Sequence, residues 1–149
     1  MKLDKKGYDL IKEFEGLKLK PYLCSASVPT IGYGSTYYEN GTKVKLTDAP
    51  ITKERADALF QIVADDFAKR VLPLVKKPLT QNQFNSIVSF AFNLGVRALQ
   101  NSTLLRLVNI NPNDANIAKE FLKWNKAGGV VVKGLTNRRI KESALYYTK

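Results

Sequence analysis

Apolar residues recur at helical spacing along most of this chain, and the pattern breaks in one stretch. Leu3, Gly7, Leu10, Ile11 and Phe14 share one stripe, which predicts a first helix over residues 3–15, with Gly16 as its stop signal. Residues 17–47 lose that period. They are rich in Gly, Tyr, Thr, Ser and Val and include Pro21 and Pro29, a composition of short strands and turns. Asn40-Gly41, between Thr36-Tyr37-Tyr38 and Lys43-Val44-Lys45, is a hairpin signal, so a small antiparallel sheet is expected here.

The helical period then returns and holds to the end. Thr52 is a good N-cap for a long helix carrying Ala56, Leu59, Phe60, Val63, Phe67, Val71 and Leu74, with Pro73 near its end. Thr80 with Gln83 forms a capping-box pattern ahead of the strongly apolar QNQFNSIVSFAFNL, which reads as a central helix ended by Gly95. Ser102 caps a short helix through Leu104, Leu105 and Val108. Asn111-Pro112 opens another, carrying Ile117, Phe121, Leu122 and Trp124 and ending near Gly128-Gly129. Thr136 caps the last, through Ile140 and Leu145. One helix, a small sheet and a helical bundle make an α+β fold with the sheet segregated to one end. The natural cleft of such a fold lies between sheet and bundle, and Glu15 stands where the chain enters the sheet.

Composition narrows the chemistry. A chain of 149 residues fits one domain and buries roughly 70% of its unfolded surface without a disulfide or metal. No histidine is present, which excludes a Ser-His-Asp triad, a Cys-His dyad and any histidine metal site. One cysteine excludes an intrachain disulfide and a Cys-cluster zinc site. Carboxylates, lysine, tyrosine and one thiol remain for acid–base work. The net charge of +11 draws the protein to polyanions, whether nucleic acid, an anionic membrane surface or anionic envelope polymers; the basic residues are spread out, as on an ordinary solvated surface. The N-terminal MKLDKKGYDLIKEFEG has no apolar run of signal-peptide or anchor length, so a cytoplasmic start is expected.

Within EGLKLKPYLCSASVPTIGYGST, Glu15 precedes Cys24 by eight intervening residues, and Cys24 precedes Thr30 by five. Glu15 ends a helix, where the macrodipole disfavours negative charge and favours the protonated, donating form. Glu13 is its local competitor: the two flank the apolar stripe on opposite sides, and only position before the turning glycine favours Glu15. Cys24 reads either as a small buried hydrophobe or as a reactive thiol. Thr30 is unremarkable in a strand, yet its hydroxyl can hold a water by accepting and donating at once. Gly32 and Gly34 suggest close approach of a ligand or another backbone. Arg138-Arg139, beside Glu142, read as arginines at a helix start with a specific partner, such as Glu15, or as an exposed basic turn.

The run from Glu15 to Gly34 resembles the active-site segment of phage-type lysozymes, the endolysins of glycoside hydrolase family 24. Their pattern is Glu, eight residues, Asp or Cys, five residues, Thr. PLTQNQFNSIVSFAFNLG (78–95), STLLRLVN (102–109), FLKWNKAG (121–128) and LTNRR (135–139) are also similar to that family, in order and across nearly the whole chain. The resemblance implies one lysozyme-like domain over 1–149, with a β-rich lobe at about 16–50, a helical lobe at 1–15 and 52–149, and the active-site cleft between them. It implies hydrolysis of the β-1,4 bond between N-acetylmuramic acid and N-acetylglucosamine in peptidoglycan. Glu15 would be the general acid, Cys24 would stand where most members carry an Asp that positions or activates the attacking water, and Thr30 would help hold that water. Arg138 matches the arginine that pairs with the catalytic Glu, and Phe92 and Asn93 match residues lining the glycan cleft. No metal or cofactor is implied.

Two positions depart from the pattern. Ser35 replaces a His common after the Gly-x-Gly segment. Cys24 is a recognised variant, but a free thiol titrates near ~8.5, so base, nucleophile and water-site shaping all stay open for it. The family also implies a monomer acting on glycan strands, with no nucleic-acid partner and no membrane insertion, held in the host bacterial cytoplasm until a holin releases it to the cell wall. Two alternatives stand beside hydrolysis: a lytic transglycosylase acting on the same bond, and a non-enzymatic cationic envelope-binding protein.

Overall fold

The computed structural model describes residues 1–24 and 26–149. Helix α1 (Lys5–Glu15) begins after Asp4, whose carboxylate accepts the Gly7 N–H at 3.3 Å, two residues later than the apolar stripe suggests. It ends at Gly16, which takes φ +68° and donates its N–H to Lys12 O at 3.1 Å. Strands β1 (Lys18–Leu23) and β2 (Pro29–Gly32) pair antiparallel, with Tyr22 opposite Thr30 and Leu23 opposite Pro29. The register shifts between Lys18 and Tyr22. The expected Asn40-Gly41 turn is present. Gly41 has φ +84° and donates to Tyr38 O at 2.9 Å, but the flanks meet through a single bridge, Tyr37 to Lys43, and do not form strands.

Helix α2 (Lys53–Val71) is capped by Thr52, whose hydroxyl accepts the Arg55 N–H at 3.1 Å, and a 3-10 turn at Leu72–Leu74 follows it. Helix α3 (Gln81–Leu94) has the anticipated capping box: Gln83 N donates to Thr80 Oγ1 at 3.1 Å, and Thr80 N donates to Gln83 Oε1 at 3.0 Å. Its residues from Asn82 through Phe92 are buried on every face, as a central helix requires. A short helix α4 (Val96–Gln100), absent from the sequence reading, follows Gly95 directly. Helix α5 (Thr103–Ile110) carries the expected Ser102 cap.

The next stretch departs from expectation. Asn111-Pro112 leads into turns, and helix α6 spans only Ile117–Leu122. Gly128-Gly129 does not end a helix; it turns a second hairpin between β3 (Lys126–Ala127) and β4 (Val130–Val131). Both glycines have positive φ, +57° and +79°, the requirement of a tight two-residue hairpin turn. Helix α7 (Lys133–Tyr146) starts before Thr136, whose hydroxyl bonds back to Val132 O, so Arg138 and Arg139 sit inside the helix.

The chain forms two compact units, residues 12–66 and residues 1–11 with 67–149; the division falls inside α1 and inside α2. In residues 12–66, Ile31, Tyr33, Val44, Ala56, Leu59, Phe60 and Val63 are buried, and Tyr33 meets Phe60 edge-on at 5.5 Å. In the other unit, α3 is the core. Phe90 meets Phe121 at 5.9 Å and Trp124 at 5.5 Å, and Phe121 meets Tyr146 at 5.7 Å. No helix among the described residues is long and apolar enough to cross a membrane.

Candidate active site

Glu15 is the last residue of α1 and is half-buried. Its carboxyl lies against a tight turn built by Gly32-Tyr33-Gly34. Ile31 and Ser35 close that turn with two backbone hydrogen bonds, 2.9 and 3.0 Å. Gly34 has φ +80°, and a Cβ there would stand 2.9 Å from Glu15 Cδ and closer still to Oε1. The close approach read from the two glycines is therefore real at Gly34, and what approaches is a carboxyl side chain of the same unit. At Gly32 the nearest neighbours are Ala56 and Ile51 at ordinary contact distance. Ser35 is buried, and no group among the described residues takes its hydroxyl.

Cys24 and Thr30 sit at the end of hairpin β1–β2. Tyr22 faces Thr30 across the ladder, and Cys24 N donates to Val28 O at 3.1 Å, continuing it. Side chains two apart on a strand share a face, so Tyr22, Cys24 and Thr30 line one side while Leu23 points out to solvent. Thr30 is 2% exposed, and its hydroxyl donates to Val28 O at 2.8 Å.

Cys24 is a free, half-buried thiol. Burial is the largest influence on it and pushes its titration up. The backbone N–H groups of Val28 and Ala26, the Thr30 hydroxyl and its own N–H together outweigh burial, so the thiol sits below its ordinary value and thiolate is favoured. Tyr22 moves the other way: burial, then the negative charges of Glu15 and Cys24, hold its phenol above the usual tyrosine range.

Arg138, Phe92 and Asn93 belong to the other unit. Arg138 is buried. Its Nε donates to Glu142 Oε2 at 3.2 Å and its Nη2 to Ser89 O at 3.2 Å. Arg139 Nη1 stands 2.9 Å from Glu142 Oε1, and Arg139 Nη2 donates to Asn93 Oδ1. The Ser89 hydroxyl donates to Glu142 Oε2 at 2.5 Å. The arginine pair is therefore a buried ion cluster around Glu142, and the exposed basic turn is ruled out. Burial lifts the Glu142 carboxyl above its usual range, while Arg139, Arg138 and Ser89 pull against that. Phe92 is buried, with its ring centroid 5.0 Å from that of Phe67. Among the described residues no three acidic or cysteine side chains converge as a metal site.

Residues 12–142 match the model of the phage lysozyme family. The chain belongs to the phage lysozyme family. It is 42% identical to an endolysin of Bacillus phage B103, across 99% of this chain and 55% of that protein. The chain thus spans about half the length of that relative. It is 39% identical to an endolysin of Acyrthosiphon pisum secondary endosymbiont phage 1, across 98% of both chains. The solved structure of an endolysin from Escherichia coli O157:H7 phage FAHEc1 superposes with a TM-score of 0.86 at 38% identity, covering 99% of this chain and 94% of that one. Small antiparallel sheet and larger helical part together are the α+β lysozyme-like fold of phage lysozymes.

Two features of this member of the family escaped the sequence. Tyr22 shares the face of Cys24 and Thr30, a placement that the i, i+2 spacing of Tyr22 and Cys24 signals once residues 18–23 are known to be a strand. Ser89 holds both Glu142 and Arg138, and nothing in the local sequence marks a serine on an apolar helix for that task.

Proposed function

We propose that this protein is an endolysin that hydrolyses the β-1,4 bond between N-acetylmuramic acid and N-acetylglucosamine in peptidoglycan. The observation that carries the reading is the Glu15 carboxyl, held against Gly34 in the same unit as the Cys24–Thr30 hairpin end. Glu15 donates its proton to the glycosidic oxygen as the bond breaks. A water attacks the anomeric carbon, shaped and assisted by Cys24 and Thr30. The lowered thiol supports a base role for Cys24, because a larger thiolate fraction is available at neutral pH. The family resemblance assigns Arg138, Phe92 and Asn93 supporting roles; within their own unit the ion cluster fixes Arg138, and Arg139 holds the Asn93 amide.

The related phage proteins are endolysins, which supports the same role here. The whole chain then acts as one phage-lysozyme domain, works as a monomer on glycan strands, and reaches the wall from the host cytoplasm through a holin. The test is release of reducing ends from purified peptidoglycan, with Glu15→Gln expected to abolish it. Equal turnover in that variant would remove Glu15 from the mechanism. Cys24, in place of a carboxylate, also favours a second reading, a lytic transglycosylase; 1,6-anhydro-muramyl ends in the product would select it.

A further inference from the structure

A water at the end of hairpin β1–β2 has four hydrogen-bonding directions to satisfy. In hydrolysis one lone pair must face the anomeric carbon. One hydrogen goes to the base, for which Cys24 is the candidate. Thr30 was read as able to donate and accept at once, and here its donor side is already engaged. Its hydroxyl carries one hydrogen, and both acceptors within its reach are protein atoms: Val28 O at 2.8 Å and the Cys24 sulfur. With that hydrogen on Val28 O or the Cys24 sulfur, Thr30 meets a water as an acceptor and takes its second hydrogen. The water's remaining lone pair needs a donor, and neither Cys24 nor Thr30 supplies one.

We infer that Tyr22 is that donor, a water-positioning residue whose phenol O–H fixes the second lone pair of the attacking water. This rests on the hydrolase reading above. Tyr22 is the direct cross-strand partner of Thr30 and lies two residues before Cys24, on the face both share. Directly opposed strand residues place their Cβ atoms about 5 Å apart. Among the described residues no group accepts from its hydroxyl, while Tyr37, Tyr38, Tyr146 and Tyr147 all donate to protein acceptors. The ring is half-buried, with Lys18 Nζ 5.4 Å from its centroid, so the side chain is held without using the hydroxyl. Burial, the largest influence on the phenol, keeps its proton in place, so the donor is present throughout the working range.

The experiment compares wild type, Tyr22→Phe and Tyr22→Leu on soluble peptidoglycan fragments, measuring kcat and KM separately. A second readout is the ratio of methyl glycoside to reducing-end product when methanol is added. That ratio is taken per turnover, so it does not depend on the fraction of enzyme that is folded. Tyr22→Phe is expected to lower kcat on the order of 100-fold, as loss of one aimed donor does, with KM little changed. It should also raise the methanol ratio, because water loses its privileged position. An undiminished kcat in Tyr22→Phe, a rise in KM alone, or an unchanged methanol ratio each overturns the assignment. Full activity in Tyr22→Phe beside failure of Tyr22→Leu would make the ring the working part and also overturn it. A wild type that releases no reducing ends would instead overturn the hydrolase reading itself.

Discussion

A methyl group at Gly34 would occupy space that the Glu15 carboxyl needs. Gly34→Ala adds a Cβ 2.9 Å from Glu15 Cδ and places an L-residue at φ +80°. Turnover is expected to fall on the order of 100-fold, the scale of a 1 Å misplacement, with a smaller loss of melting temperature; wild-type turnover would dissociate the carboxyl from that turn. At Cys24 the sign of the pH effect follows from the lowered thiol. Thiolate accumulates as pH rises through that lowered value, so activity should climb at lower pH than a free thiol, at ~8.5, would allow. Cys24→Asp, ionising near ~3.9, should carry the rising limb lower still. Superimposable pH–rate profiles for the two proteins would reject a titrating role. Glu15, Cys24 and Thr30 could be nominated from the sequence because their spacing is a sequence property. Tyr22 could not, because its place opposite Thr30 depends on a cross-strand register that shifts between Lys18 and Tyr22.

Among the elements, α3 was read to the residue, since a capping box at one end and a glycine at the other are local signals that burial reinforces. The region after Asn111 was not. Ile117, Phe121 and Trp124 keep a helical period, but Trp124 lies beyond the end of α6 and still packs on Phe90. Periodicity reported a shared core and said nothing of where the backbone stopped being helical. In α7 a Thr inside a helix was mistaken for its cap, because a hydroxyl that bonds back to a carbonyl looks the same in sequence as one that caps. That error placed the two arginines at a helix end, when they are buried around Glu142. Glu142→Gln would remove the buried carboxylate that both guanidinium groups meet and should cost about 3–5 kcal/mol in urea unfolding. A change under about 1 kcal/mol would show that water or other acceptors already serve those arginines.

At the scale of the whole molecule, the proposed endolysin activity gives the 24 basic residues, against 13 acidic ones, a task in meeting an anionic wall. Peptidoglycan stems and the outer envelope are anionic, so encounter should be steered, and steering weakens as the Debye length falls from about 10 Å at 0.1 M salt to about 3 Å at 1 M. Lysis rates on intact walls should drop across that range, while turnover on short uncharged fragments changes little; salt-independent lysis would separate the charge from the activity. The second hairpin belongs to this scale as well. Val130 is 67% exposed and Val131 57%, and a side chain at Gly128 or Gly129 would begin in open space, with no described residue beyond its chain neighbours within 4 Å. A cationic surface thus carries a small apolar hairpin where the sequence reading placed only a break between two helices, near Gly128-Gly129.

The chain holds one cysteine, and it is half-buried beside Thr30 with its thiolate favoured. Any thiol-directed reagent therefore modifies a single known position, with no competing site to subtract. Alkylation kinetics of the unaltered protein become a direct occupancy meter: a glycan fragment that fills the site should slow labelling, and its concentration dependence should return a dissociation constant with no engineered probe.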